Sequence, residues 1–333
     1  MKRGPSRRGR KFARREVLAG AGAATVLGAQ RHAFAQAGEE ARGPAVWLDM
    51  DQAQLDDAYT NRVYAPNIDR VAEQIQSRNE DAMARLGPPS VIPYGPGPME
   101  TLTVYGADRT GAPVMVYLHG GTWRFGTATQ YAYLAEAFVN RGASMALVDF
   151  DAVEEAENGL STLAGQVRDA VAWTYRNAQR FGGDPERIFV SGHSSGGHLA
   201  GLVLTTNWPE SHGLPDTIVK GGLCASGMYD LEPVQLSWRG SYLNLTDDTV
   251  EALSPQRHIG NLRAPLIVAY GTHETPEFRR QGREFAAAVE AAGKPVQLIA
   301  GRGYNHFEIR DTLANPFGLL GHAALTQMNL APG

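Results

Sequence analysis

Four short stretches of this chain carry residue types that together could cleave an acyl bond. The densest is Gly192-His193-Ser194-Ser195-Gly196, entered from the apolar run Ile188-Phe189-Val190 and continued by a segment of helical character. A serine hydroxyl is a weak nucleophile at neutral pH, so it needs a partner base and a backbone that lifts it clear of its surroundings. Glycines two residues before and two after Ser194 leave no side chain where a strand and the following helix crowd one another. The pattern therefore reads as strand, sharp elbow and helix, with Ser194 as candidate nucleophile. In a chain with 38 glycines such a pattern also arises by chance, so its meaning depends on what accompanies it.

The companions occur in the order that acyl transfer on this kind of scaffold requires. His119-Gly120-Gly121-Thr122-Trp123 directly follows the apolar run at 114–118, and its glycines can turn backbone N–H groups toward a carbonyl oxygen that becomes negative. Gly120, Gly121 and the N–H of Ser195 are the candidate oxyanion donors. After the apolar run at 266–270 comes Gly271-Thr272-His273-Glu274, which puts Glu274 at a strand's carboxyl end as candidate acid, with Glu277 and Asp230 as alternatives. His306 lies in Gly303-Tyr304-Asn305-His306-Phe307, just past the last apolar run, where a loop histidine can turn back over Ser194 as the base. His273, His193 and His198 compete for that role. His193 occupies the elbow itself and is expected to point toward neighbouring backbone, and His198 lies one turn along the helix.

Metal and cofactor chemistry have no comparable support. His193 and His198 are five residues apart, which does not put two ligands on one helical face, so no metal is expected. No G-x-x-x-x-G-K-[ST] occurs, and Gly20-Ala21-Gly22 follows no strand, so no nucleotide cofactor is expected either.

These stretches need a scaffold, and the hydrophobic pattern predicts one. The apolar run at 114–118 reads as a strand buried on both faces, and the runs at 143–150, 188–190, 219–226, 266–270 and 296–300 read as further strands. Helical patterns at 130–141, 160–181 and 277–292 alternate with them, and residues 47–85 read as one or two helices covering the entrance to the main domain. Strand and helix in alternation specify an α/β fold with a mostly parallel central sheet flanked by helices. Residues 101–105 are read as an edge strand, and Pro88, Pro89, Pro93, Pro96 and Pro98 as a connection without regular structure. Residues 229–261 interrupt the rhythm and are read as a small cap over the site. Trp123, Tyr229, Trp238 and Tyr242 are candidate pocket aromatics.

With 333 residues, 43% hydrophobic and 20% charged, the chain has ample material for a core. Its start differs from the rest. A basic head from Lys2 to Arg15 precedes a weakly apolar Ala/Gly-rich run at 17–27 and then Ala33-Phe34-Ala35, a small-x-small cleavage site. Arg14-Arg15 resembles a twin-arginine leader, although Ala13 and Val17 depart from its preferred residues. Residues 1–35 are therefore read as an export signal that engages export machinery, and 36–333 as a single domain, periplasmic or secreted after cleavage. Residues 1–35 hold 9 of the 31 Lys and Arg and 1 of the 35 Asp and Glu. That leaves 22 basic against 34 acidic residues, a balance of −12, for the rest. So acidic a body offers no footprint for nucleic acid. Cys224 is the one cysteine, so no internal disulfide forms.

Taken together, the chain resembles the serine α/β-hydrolases, and among them the arylformamidase (kynurenine formamidase-like) branch beside the hormone-sensitive-lipase-like carboxylesterases. The resemblance rests on His119 to Trp123, Gly192 to His198, Gly271 to Phe278 and Asn305-His306-Phe307, and spans roughly residues 55–325. It implies an acyl-enzyme on Ser194, no cofactor, and a small-molecule ester or amide as substrate. Glu274 stands where such enzymes usually carry Asp, so its extra methylene has to be absorbed by the histidine loop.

Overall fold

The computed structural model describes residues 43–332, so the leader anticipated in residues 1–35 lies outside the described residues. Helix α1 (Gln52–Ala58) is opened by a capping box between Asp51 and Gln54, and α2 (Ile68–Leu86) follows after a short 3-10 turn. Strands β1 (Ser90–Pro93), β2 (Thr101–Tyr105) and β3 (Ala112–Leu118) come next, then α3 (Ala132–Val139), β4 (Ser144–Val148) and α4 (Leu160–Asn177). Strand β5 (Gly183–His193) leads into α5 (Ser195–Leu204), α6 (Trp208–His212) and β6 (Val219–Ala225). Three short helices, α7 (Glu232–Leu236), α8 (Gly240–Leu243) and α9 (Asp247–Leu253), precede β7 (Leu266–Gly271). The chain continues through α10 (Pro276–Ala291), β8 (Val296–Gly301), α11 (His306–Asp311) and α12 (Leu319–Gln327).

The eight strands form one sheet in the order β1-β2-β4-β3-β5-β6-β7-β8, antiparallel for β1, β2 and β4 and parallel from β4 onward. Each residue of β3 is buried, with Val114, Val116 and Leu118 in the core on one face and Met115 and Tyr117 in the core on the other. That double burial is why the central strands read as continuous apolar runs rather than alternating ones.

Two expectations need correction. Residues 101–105 form β2, which is not an edge. The edge is β1, inside the proline-rich stretch read as a connection, where it pairs with β2 in register Ser90 to Val104 through Pro93 to Thr101. A proline is tolerated there because an edge strand leaves one row of N–H positions unpaired. Residues 229–261, read as a small cap, carry three short helices and are fastened to α1: Asp56 accepts the Trp238 N–H at 2.6 Å, and the Tyr59 carbonyl accepts from Arg239.

Candidate active site

Ser194 sits between β5 and α5 with φ 60° and ψ −126°, a backbone that L residues rarely adopt. Its N–H donates to the Ala225 carbonyl at 2.9 Å, which holds the elbow against the end of β6. A Cβ at Gly192 would overlap the Gly196 carbonyl, and one at Gly196 would overlap that of Leu118, so both glycines are demanded by backbone contact. Strain of this kind persists only where the surroundings over-determine it, and it points the hydroxyl off the end of the sheet.

The carboxylate and the histidine arrive from the ends of the last two strands, β7 and β8. His306 Nε2 is 2.9 Å from Ser194 Oγ, and His306 Nδ1 is 2.9 Å from Glu274 Oε2. All three are buried, at 5%, 3% and 1% exposure. Glu274 reaches the imidazole from the β7 to α10 turn despite its extra methylene, because its other oxygen is anchored: Oε1 accepts from Ser226 Oγ at 2.6 Å and from the Gly271 N–H at 2.5 Å. His306 is the first residue of α11, whose cap is Asn305. The Asn305 side chain accepts the N–H groups of Phe307 and Glu308, and its amide donates to Asn67 beside α2 at 2.8 Å.

Burial without an ion pair pushes the Glu274 carboxyl up to about 7, opposed by donation from Ser226 and Gly271. Burial also holds the His306 imidazole well below its ordinary value, helped by the positive charges of Arg239 and Arg310. A neutral imidazole at neutral pH, with Nδ1–H directed at Glu274, leaves Nε2 free to accept the serine proton.

Backbone donors surround the hydroxyl. A Cβ on Gly120 would come within 2.8 Å of the His193 carbonyl and 3.1 Å of Ser194 Cβ, so the loop after β3 lies directly against the elbow. Among the described residues, no acceptor takes the N–H groups of Gly120, Gly121 or Ser195. Gly121 has φ +130°, a conformation open to glycine alone.

The competing residues have other employment. His193 Nε2 donates to the His306 carbonyl at 2.7 Å, as expected of a side chain pointing at backbone, and so ties the elbow to the histidine loop. His198 is a staple: Nε2 donates to the Leu253 carbonyl at 2.8 Å, Nδ1 accepts from the Trp123 indole at 3.2 Å, and burial lowers its pKa to about 4. His273 is exposed. Glu277 is held by Arg280 and Tyr59, and Asp230 by Arg257. No group of three or more His, Cys, Asp or Glu is placed to hold a metal ion among the described residues.

The pocket aromatics divide. Tyr229 belongs to the core: it is fully buried, stacks on Phe285 at 4.3 Å, and its hydroxyl donates to the Cys224 carbonyl and accepts from Gly227 N–H. Its position just after β6 carries the ring inward, under the sheet's end rather than over it. Trp123 is 2% exposed and turned toward His198. Trp238 is half-exposed and donates its indole N–H to Thr60 of the α1 side. Tyr242 remains beside Thr122 of the oxyanion loop. Ser226 was not anticipated. The signal for it was a hydroxyl residue closing the strand next to the nucleophile strand, but only folding shows that it meets Glu274.

The sequence profile of the BD-FAE family matches residues 102–220. Kynurenine formamidase of Danio rerio is 28% identical over 287 residues, covering 82% of this chain and 95% of that protein. The esterase LipQ of Mycobacterium tuberculosis is 28% identical, covering 61% and 53%. Among solved structures, a putative thioesterase from Silicibacter sp. aligns with TM-score 0.70 at 22% identity, over 83% of this chain and 98% of that one. The carboxylesterase EstE1, from a metagenomic library, aligns with TM-score 0.61 at 20% identity, over 80% and 98%. This chain is an α/β-hydrolase, similar to kynurenine formamidases and to carboxylesterases. In this hydrolase the antiparallel pair β1 and β2 lies far along the sheet from the site, and every group around Ser194 comes from the carboxyl ends of β3, β5, β6, β7 and β8.

Proposed function

We propose that the enzyme cleaves small carboxylic esters through an acyl-enzyme on Ser194, with His306 as base and Glu274 as acid. The reading is supported above all by the unbroken relay of 2.9 Å from Ser194 to His306 and 2.9 Å from His306 to Glu274. Ser194 Oγ adds to the substrate carbonyl as its proton passes to His306 Nε2, and the imidazolium is stabilised by Glu274. The carbonyl oxygen, now negative, accepts from the N–H groups of Gly120, Gly121 and Ser195. The tetrahedral adduct collapses as His306 returns the proton to the leaving oxygen, and water, activated by the same imidazole, releases the acid and restores Ser194.

Aryl formamides are the second reading, favoured by one observation: the likeness to the zebrafish kynurenine formamidase runs over 95% of that protein, against 53% for LipQ. The same relay serves both, differing in whether oxygen or nitrogen takes the proton. We further propose that the mature enzyme works outside the cytoplasm, as the basic head and Ala33-Phe34-Ala35 suggest. Turnover of 4-nitrophenyl acetate tests the mechanism. Ser194→Ala lowers kcat by about 10⁴-fold or more and abolishes labelling by a fluorophosphonate, and undiminished turnover refutes the assignment. Phenyl formate and formanilide, compared on one preparation, separate esterase from formamidase.

A further inference from the structure

The insertion at 229–261 brings a positive charge into the protein with nothing negative to meet it. Arg239, just ahead of α8, is 2% exposed. Its Nε and Nη2 donate to the Tyr59 carbonyl at 3.1 and 2.7 Å, and its guanidinium lies 5.4 to 5.9 Å from the rings of Trp238, Phe278 and Tyr59. Nη1 has no acceptor. Two other inward-facing arginines differ: Arg280 is paired with Glu277 and Glu284, and Arg310 faces Asp311. No carboxylate is among the groups acting on Arg239.

A desolvated guanidinium with neither counter-ion nor full complement of acceptors is unfavourable, and neutral carbonyls and aromatic faces offset only part of the cost. The unpartnered N–H is not alone. The Tyr242 hydroxyl lies close enough to Arg239 and Thr122 to interact weakly with both, but it meets neither at full hydrogen-bond geometry. Thr122 immediately follows Gly121 of the oxyanion loop. Phe278, against which Arg239 packs, stands edge-on to the His306 ring at 4.8 Å. Among the charges that lower the His306 pKa, that of Arg239 is the foremost. Two orphaned polar atoms, one of them charged, thus lie within one aromatic ring of the base and beside the oxyanion loop.

We propose that Arg239 and Tyr242 form a subsite for a carboxylate carried by the substrate away from its scissile bond, so that the enzyme selects acid-bearing esters or amides over their neutral counterparts. The inference rests on Ser194 being the nucleophile. A carboxylate oxygen accepting from Nη1 and from the tyrosine hydroxyl satisfies both atoms at once, and a charge-assisted bond of this kind is about twice as strong as a neutral one. A neutral analogue leaves both unpaired, which is how a buried polar subsite rejects the wrong substrate. Binding of the anion also offsets the positive charge that acts most strongly on His306.

The test compares each acid with its methyl ester in two arms. Mono-(4-nitrophenyl) succinate places the carboxylate on the acyl side, and 3-acetoxybenzoate places it on the leaving group. The expected result is that wild-type kcat/KM favours the acid at least 10-fold in one arm. In Arg239→Gln that acid-to-ester ratio falls 10-fold or more, whatever happens to the absolute rates, and in Tyr242→Phe it falls several-fold. If Arg239→Gln does not fold because the Tyr59 carbonyl loses its donors, the wild-type ratio and Tyr242→Phe still decide. A preference for the methyl ester in both arms, or an acid preference that neither variant changes, overturns the Arg239 assignment while Ser194-dependent turnover leaves the mechanism standing. Turnover that survives Ser194→Ala refutes the mechanism instead.

Discussion

The two sides of the site are built on opposite terms. The side-chain polar atoms of Ser194, His306 and Glu274 themselves each have a partner within the protein, and the backbone behind them is strained and interlocked. Across the site, in the helical insertion, Arg239 Nη1 and Tyr242 Oη are buried and unmatched. The first side is complete without substrate, as a preorganised reaction centre should be, because reorganising dipoles during the reaction would add to the barrier. The second is completed only by something that arrives. Chemistry and selectivity are thus carried by different parts of the chain, one on the sheet's rim and one on short helices between β6 and β7.

Perturbing the two sides separately tests the division. Glu274→Gln keeps the shape but removes the charge that orients and stabilises the imidazole, and kcat should fall by about 10⁴-fold, measured on a neutral ester. A loss under tenfold would mean that another carboxylate serves His306. Gly120→Ala drives a methyl group to 2.8 Å from the His193 carbonyl, displacing an oxyanion donor, and is expected to lower kcat by roughly 10² to 10³-fold with KM little changed.

Ser226→Ala probes the anchoring of the acid. The hydroxyl opposes the burial that raises Glu274 to about 7, so its removal raises that pKa further. The ionised carboxylate is the active form, so the acid limb of kcat/KM should move to higher pH. The accompanying rate loss should be about tenfold, as for a hydrogen bond to a charged group worth about 1.5 kcal/mol. An unmoved limb would place the observed ionisation on His306 alone. Smallest in kinetic effect is Tyr229→Phe. It leaves the Cys224 carbonyl and Gly227 N–H without their partner and should lower stability by about 1 to 3 kcal/mol in denaturant unfolding. Substrate preference should stay unchanged, since the ring is core and not pocket.

Much of the first side was readable before folding, because it is local. The glycines at 192 and 196, the His119-Gly120-Gly121 loop and the histidine after the last strand each sit at a strand's carboxyl end, and a strand end can be recognised from an apolar run and its terminator. Strand β1 was obscured by prolines that would exclude a central strand but are acceptable at an edge. Tyr229 was misplaced because aromatic residues beside a site look alike whether they face the cavity or the core.

What the linear sequence determined is the order of parts: oxyanion loop, nucleophile, acid and base, on a sheet of buried parallel strands. Local backbone chemistry at each turn is enough to specify these. Which carboxylate meets the imidazole, that Ser226 holds it, and that Arg239 is buried against Tyr59 without a counter-ion were decided only by the tertiary structure. Each depends on side chains 32, 48 or 180 residues apart being packed together. No periodicity or spacing encodes such pairings, because they are selected by the packing and hydrogen bonding of the folded chain as a whole.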